Sequence, residues 1–328
     1  MERLETTYMG LTLKNPIIVG SSPLTSSLDK LKKCEDAGAG AVVVKSIFEE
    51  QIESDAKRMI AGSDEFLVHA DAQTFVEESS RNYYIDSYLS LVEQATDALD
   101  IPVIASVNCT SKGAWLDYVE RFSEVGADAL ELNKFILPTD PSVEQGEILN
   151  SYYEVVKAAR SICKFPLAIK MSSQFTSLAN VVKTFDKMGV DAVVLFNRFY
   201  QPDINIKTLT IKPTINLSDP NDYYQSLQWT ALLSAYLNCD ICASTGIHSA
   251  ETLVKMLLSG AKAVQVCSAV MKHGHAIIGT MLEGLLRWMD EHDANTFIDF
   301  RGKVAHKRMD DPSHWERAQY MKSLNVEF

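Results

Sequence analysis

Apolar residues along this chain form short unbroken runs that alternate with longer stretches of helical periodicity. The clearest pair of runs is Asp240–Ala243 and Ala263–Val266. Short apolar runs without polar alternation are typical of parallel strands that are buried on both faces. Between them, apolar residues recur at helical spacing from Leu253 onward and predict a helix. Gly260 is expected to end this helix, in the position that tolerates a positive φ.

The same pattern continues through the chain and predicts eight strands with intervening helices. The predicted strands are a run within Asn15–Ser22, then Ala41–Lys45, Pro102–Val107, Ala129–Asn133, Pro166–Lys170, Ala192–Asn197, Asp240–Ala243 and Ala263–Val266. The other predicted helices run from Ser26 or Ser27 to Gly38 and over Tyr83–Leu99, Trp115–Val125, Asn150–Ile162, Leu178–Met188, Tyr223–Leu237 and Ala276–His292, and a short one follows Ser268.

Two long excursions interrupt this alternation. Residues 46–82 follow the second strand, and their charged first half, Phe48–Ile60, has a helical pattern, whereas the remainder is expected to be a loop over the strand ends. Residues 198–222 follow the sixth strand, and Lys207–Lys212 alternate as a β-ribbon does.

A repeated glycine motif supports the predicted number of strands. Gly38, Gly126, Gly189 and Gly260 each follow a predicted helix and precede a small residue that opens an apolar run. Four copies at unequal spacing favour alternating βα units, and eight such units in about 300 residues predict a single (β/α)₈ barrel (TIM barrel) over residues 1–328. A doubly wound open sheet is the alternative, which the absence of a G-x-G-x-x-G sequence after the first strand weakens.

Composition narrows the class of protein. The 328 residues are 46% hydrophobic and carry a formal net charge of −12, which argues against a nucleic acid or an anionic membrane as partner. No apolar run of about 18 residues is present, and the first residues have no signal-peptide pattern, so a soluble cytoplasmic protein is expected. Six scattered cysteines suit a reducing compartment, and Cys239 and Cys242 are expected to be core residues.

A polar side chain lies at the end of each of the eight predicted strands, where the chemistry of such barrels takes place. These residues are Ser21, Lys45, Asn108, Asn133, Lys170, Asn197, Thr245 and Ser268. The loops Ser244–Gly246 and Cys267–Ser268 would form a cup of backbone amides suited to a phosphate, although two ordinary βα turns fit the local sequence equally well. No carboxylate ends a strand and no cluster has metal-ligand spacing, so a metal-dependent hydrolase is not expected. Amides and ammonium groups suit a planar heterocycle with carbonyl groups.

At these residues the sequence resembles the dihydroorotate dehydrogenase family, whose members are FMN enzymes on a (β/α)₈ barrel. The resemblance runs nearly end to end and is carried by these motifs: Leu13-Lys14-Asn15-Pro16, Val44-Lys45-Ser46, Glu131-Leu132-Asn133, Ile169-Lys170, Asn197, Ser244-Thr245-Gly246-Ile247, Gln265-Val266-Cys267-Ser268-Ala269 and the tail Asp299-Phe300-Arg301-Gly302-Lys303.

The resemblance implies bound FMN and assigns roles to matching positions. Gly20 and Ser21 would lie against the flavin, and Lys170 would bind the ring where negative charge develops on reduction. Asn133 and Asn197 would border the ring and the substrate, and Lys45 would lie near both. The phosphate cup would be Ser244, Thr245 and Gly246 with Cys267 and Ser268, where the family usually has Gly-Gly and Gly-Thr or Gly-Ser. Asn108, at the same rim, is a further expected cofactor contact.

Three departures concern the substrate half of the family pattern. The family places a cysteine or serine base soon after the position of Asn133, but Lys134–Pro138 contains no thiol or hydroxyl. The family's Asn-x-x-Gly-x-x-Asn substrate segment is absent from residues 60–80, and Asn216–Asp222 replaces a Gly-Gly-x-Ser-Gly loop. The resemblance therefore implies either a changed substrate or a decayed activity.

The sequence predicts a flavin-dependent oxidoreductase that acts on dihydroorotate or a related small planar ring in pyrimidine metabolism. Lys45, Asn133 and Cys109 are the expected catalytic residues, and Cys109 would be a proton-transfer group if a nearby lysine lowered its pKa; an inert packing role is the alternative. A barrel that only binds FMN or a phosphorylated metabolite, and a Schiff-base aldolase that uses Lys170 or Lys45, remain open. The family resemblance also allows a homodimer.

Overall fold

The computed structural model describes residues 2–48, 70–108, 116–198, 202–212 and 216–316. In chain order its strands are β1 Thr6–Tyr8, β2 Leu11–Leu13, β3 Ile17–Val19, β4 Ala41–Val43, β5 Ile47–Phe48, β6 Val103–Asn108, β7 Ala129–Asn133, β8 Leu167–Met171, β9 Ala192–Leu195, β10 Asp203–Asn205, β11 Thr210–Lys212, β12 Asp240–Ser244 and β13 Ala263–Val266.

Helices alternate with these strands. They are α1 Leu28–Asp36, α2 Ala70–Ala98, α3 Leu116–Glu124, α4 Gln145–Ile162, α5 Leu178–Lys187, α6 Tyr223–Leu233, α7 Ala250–Ser259, α8 Ser268–His273 and α9 Ile277–Glu291. Single 3₁₀ turns occur at Glu2–Leu4, Pro23–Thr25, Phe297–Asp299, His306–Arg308 and Pro312–Trp315. None of these described helices combines the length and the apolar character needed to cross a membrane.

Eight parallel strands close into a barrel. Around it the order is β3, β4, β6, β7, β8, β9, β12 and β13, and β13 pairs again with β3. Leu130 pairs with Leu167 and Asn133 with Lys170, so β7 and β8 end level with each other at the mouth. The barrel strands are almost entirely buried, because helices cover their outer face and side chains fill the inside. The (β/α)₈ fold is therefore confirmed.

A hairpin that the sequence pattern did not predict closes the other end of the barrel. Strands β1 and β2 are antiparallel, and Tyr8, Met9 and Leu13 are buried against the innermost residues of the barrel, among them Ile18 and Ala168. These three side chains exclude water from the N-terminal ends of the barrel strands. The mouth at the C-terminal ends is thus left as the place for chemistry.

Most predicted elements are confirmed, with boundaries that move by a few residues. The four repeat glycines all adopt positive φ, between 84° and 115°. The helix expected from Asn150 begins at Gln145, and the helix expected to reach Leu237 ends at Leu233.

The excursion after β4 contains the main errors. Phe48, placed at the start of a helix, instead ends the short strand β5, and residues 49–60 lie outside the described residues. The helix expected from Tyr83 begins at Ala70, so residues 70–82 are not a loop. Residues 70–82 contain no glycine or proline that would end a helix. This absence was the evidence in the sequence that the helix begins before Tyr83.

The excursion after β9 does form a β-ribbon. Strands β10 and β11 are antiparallel, with Asp203 opposite Lys212, and residues 206–209 make the turn rather than part of a strand. The ribbon exposes Ile204, Ile206, Leu209 and Ile211 to at least 67% of their surface.

Candidate functional site

A buried lysine lies at the mouth of the barrel. Lys170 is on β8, whose other residues are apolar, and it is 7% exposed. Its Nζ donates a hydrogen bond of 2.8 Å to Oε1 of Gln265 on β13 and lies 3.9 Å from Oε1 of Glu131 on β7. The ammonium group thus borders a cavity whose opposite wall is built from the loops after β12 and β13.

Those two loops form the amide-rich cup that the sequence predicts. Thr245 and Gly246 follow β12 and have φ of 77° and 76°, and Ser268 begins α8 directly after Cys267. Within the described residues, the amides of Gly246, Ile247, Ser268 and Ala269 donate no hydrogen bond to protein. Free amides at the start of a helix and in a left-handed turn suit an anion such as phosphate.

Gly246 is required by a close backbone approach as well as by its φ. A Cβ at this position would lie 2.2 Å from the backbone nitrogen of Tyr223, the first residue of α6. At Gly20 a Cβ would lie 2.9 Å from Sγ of Cys267 and 3.0 Å from Oε1 of Gln265. Both glycines therefore permit close packing, Gly246 against the start of α6 and Gly20 against Cys267 and Gln265.

Two asparagines meet beside Lys170. Nδ2 of Asn197 donates a 2.5 Å hydrogen bond to Oδ1 of Asn133, and Asn197 lines the same cavity as Lys170. Asn108 pairs in register with Asn133 at the end of β6, so it lies at the same rim. The predicted grouping of these three amides is therefore present in the structure.

Ser21 and Lys45 face different cavities. Ser21 lines the Lys170 cavity, and its hydroxyl accepts a 2.8 Å hydrogen bond from the amide of Ser46 and contacts the Ser46 hydroxyl at 2.9 Å. Lys45 lines a neighbouring cavity between the start of α1 and residues 84–94 of α2. A direct role of Lys45 at the cofactor remains a prediction. Cys109 lies outside the described residues.

The loop that replaces the family's glycine-rich segment is tied to the cup. The amide of Ser218 donates to Oγ of Ser268 at 2.9 Å, and the Ser218 hydroxyl contacts Nε2 of His248 at 2.9 Å. Nζ of Lys272 donates to the carbonyl of Ser218 and to Oδ1 of Asp219, both at 2.9 Å. Burial and the positive charge of Lys272 lower the pKa of His248, so this ring is neutral near pH 7. Sequence reasoning missed Ser218 and His248 because their contacts join distant parts of the chain.

Arg198 anchors the far end of the same loop. Its guanidinium donates to Oδ2 of Asp222 at 2.5 Å and to the carbonyl of Asn216 at 3.0 Å. Arg198 lines the cup cavity and also an adjoining cavity bounded by Leu137, Phe196 and Asn197. The adjoining cavity is lined by both apolar and polar side chains.

The segment that lacks the family's cysteine or serine base packs against Tyr152. Lys134 is buried, with Nζ 5.5 Å from the centre of the Tyr152 ring, and the amide of Ile136 donates to the Tyr152 hydroxyl at 3.1 Å. Leu137 is 61% exposed at the adjoining cavity. The backbone is held in place, but the side chains at 136 and 137 are aliphatic.

Together, fold and mouth define a (β/α)₈ barrel with an anion cup and a buried lysine on one cavity. The family model for dihydroorotate dehydrogenase matches residues 3–289. The chain therefore belongs to the dihydroorotate dehydrogenase family.

Relatives of this chain carry dehydrogenase names. It is 26% identical over 309 residues to the catalytic subunit of dihydroorotate dehydrogenase B (NAD(+)) of Pyrococcus abyssi, covering 91% of this chain and 98% of that one. It is 25% identical over 332 residues to the chloroplastic dihydropyrimidine dehydrogenase (NADP(+)) of Arabidopsis thaliana, covering 91% and 76%. These relatives support an oxidoreductase of the dihydroorotate dehydrogenase type.

The fold is also found in a solved structure. The crystal structure of DHODH in complex with ferulenol from Eimeria tenella superposes with a TM-score of 0.61 at 16% identity, covering 94% of this chain and 89% of that one. At this identity the likeness concerns the fold alone.

Proposed function

We propose that this protein is an FMN-dependent oxidoreductase that acts on a small planar ring of the dihydroorotate type. The observation that carries the proposal is the single cavity that joins the buried Lys170 to the free amides of the cup. A cation and an anion-binding cup on one cavity suit a cofactor that has a phosphate at one end and a ring that gains negative charge at the other.

The donor set fits FMN. The amides of Gly246, Ile247, Ser268 and Ala269 would hold the phosphate. The absence of a side chain at Gly20 lets Cys267 and Gln265, which line the same cavity, pack against its backbone. Lys170 would face the ring. Bound FMN would supply hydride acceptance. The protein would supply the ammonium group, the amides of Asn133 and Asn197, and a cavity partly screened from water.

The substrate would occupy the adjoining cavity between Asn197 and Leu137. Its lining combines amide groups with apolar side chains, which suits a ring with carbonyl groups. Because positions 136 and 137 cannot move a proton, hydride transfer from dihydroorotate would lack the base that the family usually provides there. General acid–base catalysis typically contributes about 10²–10⁴-fold in rate, so we expect slow rather than absent turnover of dihydroorotate.

Anaerobic flavin reduction tests this proposal. The FMN-loaded protein is mixed with excess dihydroorotate, and the flavin absorbance is followed in the wild type and in the variants Ile136→Cys and Leu137→Cys. Slow bleaching that one cysteine accelerates is the expected result. Rapid bleaching of the wild type would show that the missing base has been overrated. No bleaching in any variant, with FMN bound, would reject dihydroorotate as the substrate.

A second candidate function rests on the cup alone. The free amides would equally hold a phosphorylated metabolite, in which case Lys170 would bind a carbonyl or form a Schiff base with it. Reduction with borohydride in the presence of phosphorylated aldehydes and ketones distinguishes this function. Condensation releases water and reduction adds two hydrogen atoms, so Lys170 would gain the mass of the carbonyl compound less one oxygen atom. An unmodified Lys170 is expected for the flavoprotein.

A further inference from the structure

An ion pair lies inside the barrel, one layer below the mouth. The side chain of Glu131 is 1% exposed and that of Lys170 is 8% exposed, with 3.9 Å between Oε1 and Nζ. Glu131 pairs in register with Ala168, two residues before Lys170 on β8. Since inward-facing residues alternate along a strand, the carboxylate lies one layer deeper than the ammonium group.

Gln265 connects the two charges. Lys170 Nζ donates to Oε1 of Gln265 at 2.8 Å, and Nε2 of Gln265 donates to Oε2 of Glu131. An ammonium group only donates and a carboxylate only accepts, so the carboxamide has a single orientation that satisfies both partners. The remaining oxygen of Glu131, Oε1, is buried and has no hydrogen-bond partner among the described residues.

Three titratable groups packed around this pair do not carry charge near pH 7, namely Cys242, Cys267 and Tyr8. Burial raises the pKa of the Cys242 thiol on β12 well above its ordinary value, and the charge of Glu131 adds to the rise. Burial also raises the pKa of Cys267 and of Tyr8, which faces the pair from the hairpin. Within the described residues, Glu131 and Lys170 are therefore each other's charge partner.

We propose that Glu131 is a positioning residue: it is the counter-ion that keeps Lys170 an ammonium ion, and through Gln265 it fixes this group beneath the flavin ring. The reason is the cost of burial, because an unpaired ammonium group in a low-dielectric site loses its proton rather than remain charged. The inference rests on the proposed function only where it concerns flavin.

The first test needs no flavin. The protein freed of cofactor is treated with limiting acetic anhydride, which reacts with neutral amines, and acetylation of Lys170 is followed by mass spectrometry with exposed Lys187 as the internal reference. Glu131→Gln keeps the size of the side chain and removes its charge. We expect Lys170 to be acetylated about tenfold faster or more in this variant. Equal rates in variant and wild type would overturn the counter-ion role.

A swapped pair separates charge from shape. Glu131→Gln combined with Gln265→Glu exchanges carboxylate and amide within the same volume and returns a counter-ion to Lys170. The expected acetylation rate is within roughly threefold of the wild type. A rate as fast as that of the single variant would contradict the proposal. If Glu131→Gln does not fold, Gln265→Met is used instead, because this change removes the hydrogen-bonded bridge between Glu131 and Lys170. Faster acetylation of Lys170 is again expected.

Sulfite binding tests the effect on flavin. Sulfite adds reversibly to oxidised flavins and leaves negative charge on the ring, so its Kd reports the cation beneath the ring. In FMN-loaded Glu131→Gln the sulfite Kd is expected to rise about tenfold. A lower Kd would mean that Glu131 acts only as a nearby negative charge, and an unchanged Kd would mean a packing role; either result refutes the proposal. A wild type that takes up no FMN would contradict the proposed function and leave the acetylation result standing.

Discussion

Substituting Gly246 by alanine tests the cup through its backbone geometry. A non-glycine residue at a φ of 76° costs about 1–2 kcal/mol. The added Cβ would also lie 2.2 Å from the nitrogen of Tyr223 and 2.6 Å from the carbonyl carbon of Asp222, so the loop or the start of α6 must move by about 1 Å. Overpacking of this kind costs about 1–3 kcal/mol more. We therefore expect a loss of about 2–5 kcal/mol of unfolding free energy, which a domain stable by about 5–15 kcal/mol tolerates.

Gly10→Ala is the matched control. Gly10 has a φ of 78°, but a Cβ there would meet nothing within 4 Å, so only the backbone cost of about 1–2 kcal/mol applies. Urea denaturation of both variants measures the difference. Titration with FMN measures how far displacement of the cup amides weakens cofactor binding. The loss of one hydrogen bond to a charged phosphate costs about 1.5–3 kcal/mol, so FMN affinity is expected to fall by about 10–100-fold in Gly246→Ala only. Equal stability and equal FMN affinity in the two variants would refute the role assigned to the cup.

Three further predictions concern pH and the loop over the cup. Although burial acts in the opposite direction, hydrogen bonds from Lys183 and from the amides of Cys239 and Asn238 lower the pKa of Asp186. The stabilisation that ionised Asp186 provides is therefore present above the unfolded pKa of about 3.9 and is lost as pH falls through the folded value. Asp186→Asn is expected to be about 1–3 kcal/mol less stable than the wild type at pH 7, and this difference is expected to shrink in acid. A difference in urea denaturation that is constant with pH would contradict this prediction. Burial lowers the pKa of His248, so below about pH 6.5 the unfolded chain takes up more protons than the folded one and the fold loses stability. His248→Gln removes this group and is therefore expected to reduce the loss of thermal stability between pH 7 and 5. Lys272→Met removes two contacts to residues 218 and 219 and is expected to speed FMN dissociation in stopped-flow fluorescence, whereas Lys187→Met is not.

The barrel could be predicted from the sequence because its signals are local. Each apolar run of a strand such as Ala129–Asn133, and each helix-ending glycine such as Gly260, depends on neighbours a few residues away. The start of α2 at Ala70 was missed because the segment lacks strong hydrophobic periodicity, and the β1–β2 hairpin was missed because its strands have only three residues each.

The site could be predicted only where its residues end strands. Lys170, Asn133 and Asn197 were found in this way, and the structure brings them together. Glu131 and Gln265 belong to the family motifs, but the sequence alone assigns them no role. In the middle of a buried strand, the sequence does not distinguish an inward-facing side chain from an outward-facing one. Their contact depends on the register of strands that are 134 residues apart.

Equilibrium binding of FMN to the cofactor-free protein tests whether the cavity at the mouth of the barrel is an FMN site. We expect saturable binding of one FMN per chain, weakened by about tenfold or more in Lys170→Ala, because the ring loses its cation. No change is expected in Lys187→Ala, since this exposed lysine ends α5 at the opposite end of the barrel. Absence of FMN binding to the wild type, or equal affinity in the wild type and Lys170→Ala, would show that the cavity does not bind FMN in this way.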